Sequence, residues 1–197
     1  MTDRLPDNQG LHVRAAGLRC LVCDVDGTLT DGGVAYHSDG TESRRFHIRD
    51  GLGIVAARRV GFHVVWISGR ESVVVRRRAE ELGVALLMQA VRDKAEALRA
   101  VSESLGIPFD AIAFIGDDLN DLPGFRRAGM ALAPSDAARD VREAADLVLE
   151  TAGGAGAVRE ALEWILRCRG EWESARDGYI DALIEPSSGR DPRPPGQ

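Results

Sequence analysis

Short apolar runs rich in Val, Ile, Leu and Phe alternate with segments of helical periodicity along nearly the whole chain, and no other feature constrains the fold as much. The runs at 18–24, 62–67, 84–88, 111–115, 130–133 and 147–149 read as strands, and the segments near 51–60, 71–82, 93–105, 118–128, 136–144 and 155–169 read as helices. A strand, a helix and a further strand make a βαβ unit. Its right-handed crossover places helices on both faces of a mostly parallel sheet. The predicted fold class is therefore α/β, a doubly wound, mostly parallel, Rossmann-like sheet.

One segment interrupts the alternation. Residues 33–49, GVAYHSDGTESRRFHIR, have two extended arms around Ser38-Asp39-Gly40-Thr41. Asp-Gly is a strong turn signal, which predicts a β-hairpin flap projecting after the first strand. The chain length of 197 residues suits one domain. The expected organisation is an N-terminal extension at 1–16, a core at 17–170 and a C-terminal helix with a flexible tail at 171–197. The last stretch, SSGRDPRPPGQ, is too polar and proline-rich to pack.

Composition removes several function classes. A net charge of -6 argues against a surface built for nucleic-acid phosphates or an anionic membrane, so neither is an expected partner. There is no apolar run long enough to span a bilayer, and MTDRLPDNQG lacks a signal-peptide core. A cytoplasmic protein is expected. Cys20 and Cys23 spell C-x-x-C, but inside a strand that spacing sends the two side chains to opposite faces, so they read as buried residues and not as a redox or zinc pair. His12, His37 and His63 have no partners at metal-ligand spacing.

In open α/β sheets, ligands bind beyond the carboxyl ends of the strands. Here the first strand ends in Asp24-Val25-Asp26-Gly27-Thr28, the second in Ser68-Gly69-Arg70 and the fourth in Gly116-Asp117-Asp118-Leu119-Asn120-Asp121. Lys94 opens the helix after the third strand and points to the same rim. Carboxylates gathered on one rim repel each other unless a cation neutralises them. Oxygen donors without a His or Cys cluster favour Mg2+. A carboxylate screened by metal and lysine can attack phosphorus, and a second carboxyl nearby can move the proton. Taken singly each motif has a plainer reading: Asp-Gly as a turn, Ser68 as a helix cap, Lys94 as a surface lysine, Gly153-Gly154-Ala155-Gly156 as a helix entry. Their order along the chain is what points to phosphoryl chemistry.

That order, DVDGTLTDG, then ISGR, then a lysine, then FIGDDLNDLP, resembles the haloacid dehalogenase superfamily of phosphohydrolases over about residues 18–165. The resemblance implies that Asp24 is the nucleophile and Asp26 the general acid/base. It implies Mg2+ ligation by Asp24, the backbone carbonyl of Asp26 and Asp117. Ser68 and Lys94 resemble the groups that hold the transferring phosphoryl, Asp121 the carboxylate that orients Lys94 or a metal-bound water, and Asp118 its helper. Only 43 residues separate Asp24 from Ser68 and 22 separate Lys94 from Asp117, so neither interval holds a cap domain. Something else must then close the site; the simplest candidate is another subunit, with the hairpin packing against its copies, and the plainer reading is a loose surface hairpin on a monomer.

Capless members with these features form the 3-deoxy-D-manno-octulosonate (KDO) 8-phosphate phosphatase group, to which TDGGVAYHSDGTESRRFHIRDGLGI, ISGRESVVVRRRAEELGV, GDDLNDLPGFRRAGMALAPSDA and GGAGAVREALEWIL are similar. The similarity implies a homotetramer with sites at subunit interfaces, acting on a sugar-acid phosphate of lipopolysaccharide biosynthesis. It implies a substrate pocket of His47, Ile48, Arg49, Asp50, Gly51, Gly69, Arg70, Arg78 and Lys94, with Arg78 supplied to a neighbour. An arginine fork suits a sugar-acid carboxylate. Close bacterial members carry an arginine shortly after D-G-x-G-I, where this chain has Val55. Two readings compete: a sialic-acid-type (N-acylneuraminate or KDN) 9-phosphate phosphatase, and a non-catalytic phosphatase-like oligomerisation module.

Overall fold

The computed structural model describes residues 8–184. The elements run α1 (Asn8–Ala16), β1 (Cys20–Asp24), β2 (Ala35–Tyr36), β3 (Glu42–Ser43), α2 (Ile48–Arg59), β4 (His63–Ile67), α3 (Val73–Leu82), β5 (Leu86–Met88), α4 (Lys94–Leu105), β6 (Ile112–Ile115), α5 (Leu122–Phe125), β7 (Met130–Ala133), α6 (Arg139–Ala144), β8 (Leu147–Val148), α7 (Ala157–Cys168) and α8 (Trp172–Ile184). The main sheet has six strands in the order β5-β4-β1-β6-β7-β8, and every pairing is parallel. The chain builds outward from β1 to β5, then returns to the other side of β1 to lay down β6. The β1/β6 boundary is thus the point where strand order reverses, the place where such sheets open a crevice.

Strand alternation divides the core in two. Leu21, Cys23, Val64, Trp66, Ala113 and Ile115 face a layer formed by α1, α2, α3, α7 and α8, while Cys20, Val22, Val65, Ile67, Ile112 and Phe114 face α4, α5 and α6. Cys20 and Cys23 therefore do lie on opposite faces, both unpaired, and burial pushes the Cys20 thiol up to about 12. The pattern Ala161, Leu162, Ile165, Leu166 gives α7 one fully buried stripe against the sheet.

Two elements differ from the sequence expectation. The helix expected at 118–128 is a 3-10 turn at Leu119–Asp121 followed by the short α5, with Pro123 near its start. The chain must turn at Gly129, where a Cβ would lie 2.3 Å from the Asp110 carbonyl oxygen and whose N–H bonds to the carbonyls of Phe109 and Ile112, so the helix cannot run on. At the other end, α1 forms within the stretch read only as an extension. It is held by the paired bonds of Arg14 to Asp146 at 2.8 and 2.9 Å and by the His12 ring against Trp164 at 5.9 Å. Neither long-range partner is visible in a local pattern. The polar tail expected at 187–197 lies outside the described residues.

The hairpin is present but short. β2 and β3 pair antiparallel, Ala35 with Ser43 and Tyr36 with Glu42. Asp39 Oδ1 accepts the Thr41 N–H at 2.9 Å, and Gly40 takes φ +83°, the left-handed conformation its turn requires. Its base is anchored by a Thr30–Phe46 bridge and by Phe46 stacked on Trp66 at 5.9 Å. No further domain stands between Asp24 and Ser68 or between Lys94 and Asp117.

Candidate active site

Asp24 ends β1 and is 4% exposed, with Cα paired to Ile67, so that Ser68 follows directly after the end of β4 beside it. Beyond Asp24 the chain coils back, the N–H groups of Leu29 and Thr30 both reaching the Val25 carbonyl at 3.0 Å. β6 delivers Gly116 and Asp117 across from this loop. Thr28 Oγ1 donates to Asp117 Oδ1 at 3.0 Å. A loop from the far end of the chain packs underneath: the Gly154 N–H bonds to the Thr28 carbonyl at 2.9 Å, and a Cβ on Gly153 would lie 1.7 Å from the Gly27 carbonyl oxygen. The glycine run is thus a helix entry that also carries the loop after Asp24.

Lys94 is the first residue of α4, capped by Asp93, and is 1% exposed. A cation in the first turn opposes the helix dipole, so its place rests on its partners instead. These are Asp24 Oδ1 and, at 2.5 Å, Asp121 Oδ1. Asp121 spends its other oxygen on the backbone N–H groups of Asp117 and Asp118, at 2.9 and 3.2 Å. It therefore ties Lys94 to the loop after β6. Asp118 itself is exposed and caps the Leu119 N–H at 2.8 Å.

Carboxylate oxygens of Asp24, Asp117 and Asp121 lie within 4.8 Å of one another. Burial, together with the charges of Asp121 and Asp117, pushes the Asp24 carboxyl well above the usual range, against the pull of Lys94. Burial and Asp121 push Asp117 up to about 6. Three crowded carboxylates against one ammonium leave two negative charges uncompensated, the charge of a divalent cation. An all-oxygen donor set suits a hard ion such as Mg2+. The residues present fit that ion: Asp24, Asp117 and Asp121 each offer one carboxylate oxygen that could hold it.

Asp26 turns away from this cluster. Its Oδ2 accepts the Ser68 hydroxyl at 3.2 Å and its Oδ1 accepts Arg44 Nε at 2.7 Å. Ser68 Oγ also accepts the Arg70 N–H at 3.1 Å. Gly69 and Arg70 are exposed on the rim, where the Arg70 guanidinium donates to the Tyr36 hydroxyl of the hairpin. Sequence reasoning missed Arg44. The signal available was a basic residue on the arm of a hairpin, and nothing local says that it points inward.

The stretch 47–51 sits at the start of α2, its contacts directed to α7 and α3. His47 is the N-cap residue with its Nδ1 buried and unpartnered, and Ile48 is 66% exposed. Arg49 lines a cleft of about 680 Å3 with Thr151, Gly156, Arg159 and Trp164. None of the acidic cluster lines that cleft, so the cleft and the acidic cluster are separate places. Asp50 is buried, accepting the Arg159 N–H at 2.7 Å at the start of α7, and burial pushes its carboxyl up to about 6. Gly51 lies under Arg78, whose Nη2 would be 2.6 Å from a Cβ there, and Arg78 pairs with Glu81 at 3.2 Å. Within one chain, then, Arg78 backs α2. Val55 packs on the core.

Residues 80–162 match the family model for haloacid dehalogenase-like hydrolases. The chain is 39% identical over 161 residues to the 3-deoxy-D-manno-octulosonate 8-phosphate phosphatase KdsC of Haemophilus influenzae, which spans 82% of this chain and 89% of that protein. The chain belongs to the KdsC phosphatase family. KdsC of Escherichia coli K12 is 35% identical over 175 residues, 89% of this chain and 93% of the relative. Among solved structures, the KdsC-family phosphatase of Moraxella catarrhalis, in complex with a magnesium ion, a phosphate ion and KDO, superposes with a TM-score of 0.82 at 36% identity, covering 89% of this chain and 98% of that one. The fold class and the cation expected from the sequence agree with these relatives.

Proposed function

We propose that this chain is the Mg2+-dependent phosphatase of 3-deoxy-D-manno-octulosonate 8-phosphate, working through an aspartyl phosphate on Asp24. The observation that carries this reading is the buried contact of Asp24 with Lys94 beside Asp117 and Asp121, at the point where strand order reverses. The named relatives supply the substrate.

Asp24 Oδ attacks phosphorus and the ester P–O bond breaks. The leaving sugar oxygen takes its proton from Asp26, the nearby carboxyl on the same loop. Asp26 then removes a proton from water, whose oxygen attacks the phosphoryl-aspartate. Inorganic phosphate leaves and the Asp24 carboxylate is restored. Lys94 pairs with the Asp24 carboxylate before the attack and with the phosphoryl oxygens after it. Bound Mg2+ would supply charge screening for the approach of two anions. Monoester hydrolysis is slow enough uncatalysed that on the order of 20 kcal/mol of barrier lowering is required.

The rim residues Arg70 and His47 to Gly51, with Arg78, complete the pocket in a homotetramer whose subunits close each other's sites. The exposure of Tyr36, Ile48 and Val73, at 70, 66 and 76%, supports an apolar contact there. The place of the enzyme is then the cytoplasmic stage of lipopolysaccharide synthesis. Steady-state phosphate release with Mg2+ tests the substrate. We expect KDO 8-phosphate to exceed N-acetylneuraminate 9-phosphate, KDN 9-phosphate and a hexose 6-phosphate by at least about tenfold in kcat/KM, and Asp24→Asn to abolish turnover with the fold intact. Preference for a nine-carbon acid would reassign the substrate and leave the chemistry standing.

A further inference from the structure

Arg44 follows the last residue of β3 and lies between two exposed neighbours, Ser43 and Arg45, yet its side chain is 0% exposed. A guanidinium removed from water needs its charge and its donors met by protein. Nε donates to Asp26 Oδ1 at 2.7 Å and Nη1 to Glu42 Oε1 at 2.5 Å, while Nη2 is buried without a partner. Glu42 is fixed in turn by the hydroxyl of Ser72, the N-cap of α3. The chain Ser72–Glu42–Arg44–Asp26–Ser68 therefore begins at one helix cap, crosses the hairpin and ends at the residue that follows β4.

Asp26 is held at both oxygens, by Arg44 on one and Ser68 on the other. A hydrogen bond to a single oxygen leaves a carboxylate free to rotate; opposed bonds on both remove that freedom. The planar fork of arginine also fixes the angle between the two carboxylates it joins, which a lysine point charge does not. No other cation is bonded to Asp26 among the described residues.

We propose that Arg44 is a positioning residue for the reaction. It sets the rotamer in which Asp26 delivers a proton to the leaving oxygen, and it makes that setting depend on the hairpin being seated. The assignment rests on the acid/base role of Asp26 given above. It adds a residue to which the sequence reading gave no role and gives the hairpin a part in the chemistry of its own subunit.

The test exploits the leaving group. A sugar alkoxide needs a proton to depart, whereas 4-nitrophenolate does not. In Arg44→Gln we expect kcat for the sugar-acid phosphate to fall about 30–100-fold with KM within about threefold, the scale of a misplaced acid. The pre-steady-state burst of 4-nitrophenolate from 4-nitrophenyl phosphate should stay within about threefold of wild type. Arg44→Lys, which keeps the charge, should recover part of the loss, and Glu42→Gln should show a smaller version of it. Equal loss on both esters, or a change confined to KM, would overturn the proposal. A crystal structure of Arg44→Gln decides independently of which ester the enzyme prefers: Asp26 should leave the rotamer facing Ser68 over an unchanged backbone, and an unmoved Asp26 refutes the role. Inactivity of the wild-type enzyme on every alkyl phosphate would instead strike the proposed function and leave that structural arm to judge Arg44.

Discussion

Gly27 and Asp117 occupy space that only a glycine leaves free: a Cβ at Gly27 would lie 2.1 Å from Asp117 Oδ2, and Gly27 itself sits at φ +101°. The loop after β1 and the loop after β6 are thus in contact through a backbone with no side chain. Gly27→Ala should displace Asp117 from the acidic cluster. The expected result is a Mg2+ half-saturation raised about tenfold and kcat/KM lowered about 100-fold, with circular dichroism unchanged. Wild-type Mg2+ dependence in this variant would show that Asp117 does not need its present position.

Lys94 makes a different demand, because its two carboxylate partners are as buried as it is. Lys94→Met fills the same space and removes the charge, leaving buried anions uncompensated. It should cost about 3–5 kcal/mol in stability and all measurable turnover. Added Mg2+, bound only by the folded state, should return several degrees of Tm. Calorimetry with and without Mg2+ checks this, and an unaltered Tm in metal-free buffer would contradict it.

Asp50 offers a pH signature away from the acidic cluster. Burial raises its folded pKa from 3.8 to about 6, so between those values the folded protein binds the proton more tightly than the unfolded chain. Stability contributed by the neutral carboxyl is therefore present below pH ~4 and lost as pH rises through about 6, by about 3 kcal/mol for a shift of this size. Asp50→Asn cannot ionise and still accepts the Arg159 N–H. Denaturant unfolding at pH 4, 5, 6 and 7 should show the variant gaining on wild type as pH rises. A constant difference across that range would mean the carboxyl is not desolvated.

Val73 tests the proposed subunit contact without touching the chemistry. It is 76% exposed at the first position of α3, where a carboxylate favours the helix dipole. Val73→Asp should therefore leave the monomer fold as stable as before. It should shift sedimentation velocity from a tetramer to smaller species. A tetramer that survives the substitution would remove this edge of the rim from the interface.

Much of this was readable along the chain. The alternation of runs gave all six sheet strands to within two residues at either end, because buried parallel strands must be continuously apolar. The ends of those strands named Asp24, Ser68 and Asp117, and glycine and aspartate residues marked the turn of the hairpin. The helix at 118–128 was misread because its shortness follows from the close pass of Gly129 by Asp110, nineteen residues earlier in the chain. Arg44 escaped notice for a similar reason, since a charged residue on a hairpin arm normally faces water.

What the sequence determined by itself was the layering, the identity of the acids and the lysine, and their order. Those follow from periodicity and from groups that sit next to one another in the chain. Tertiary structure alone decided that Asp121 rather than Asp26 completes the carboxylate cluster, that Asp26 is gripped by Arg44 and Ser68, and that Asp50 caps α7 under cover. Each of these joins segments far apart in the chain, and each depends on which way a short polar side chain turns once water has been excluded, a choice made by the partners that packing brings within reach.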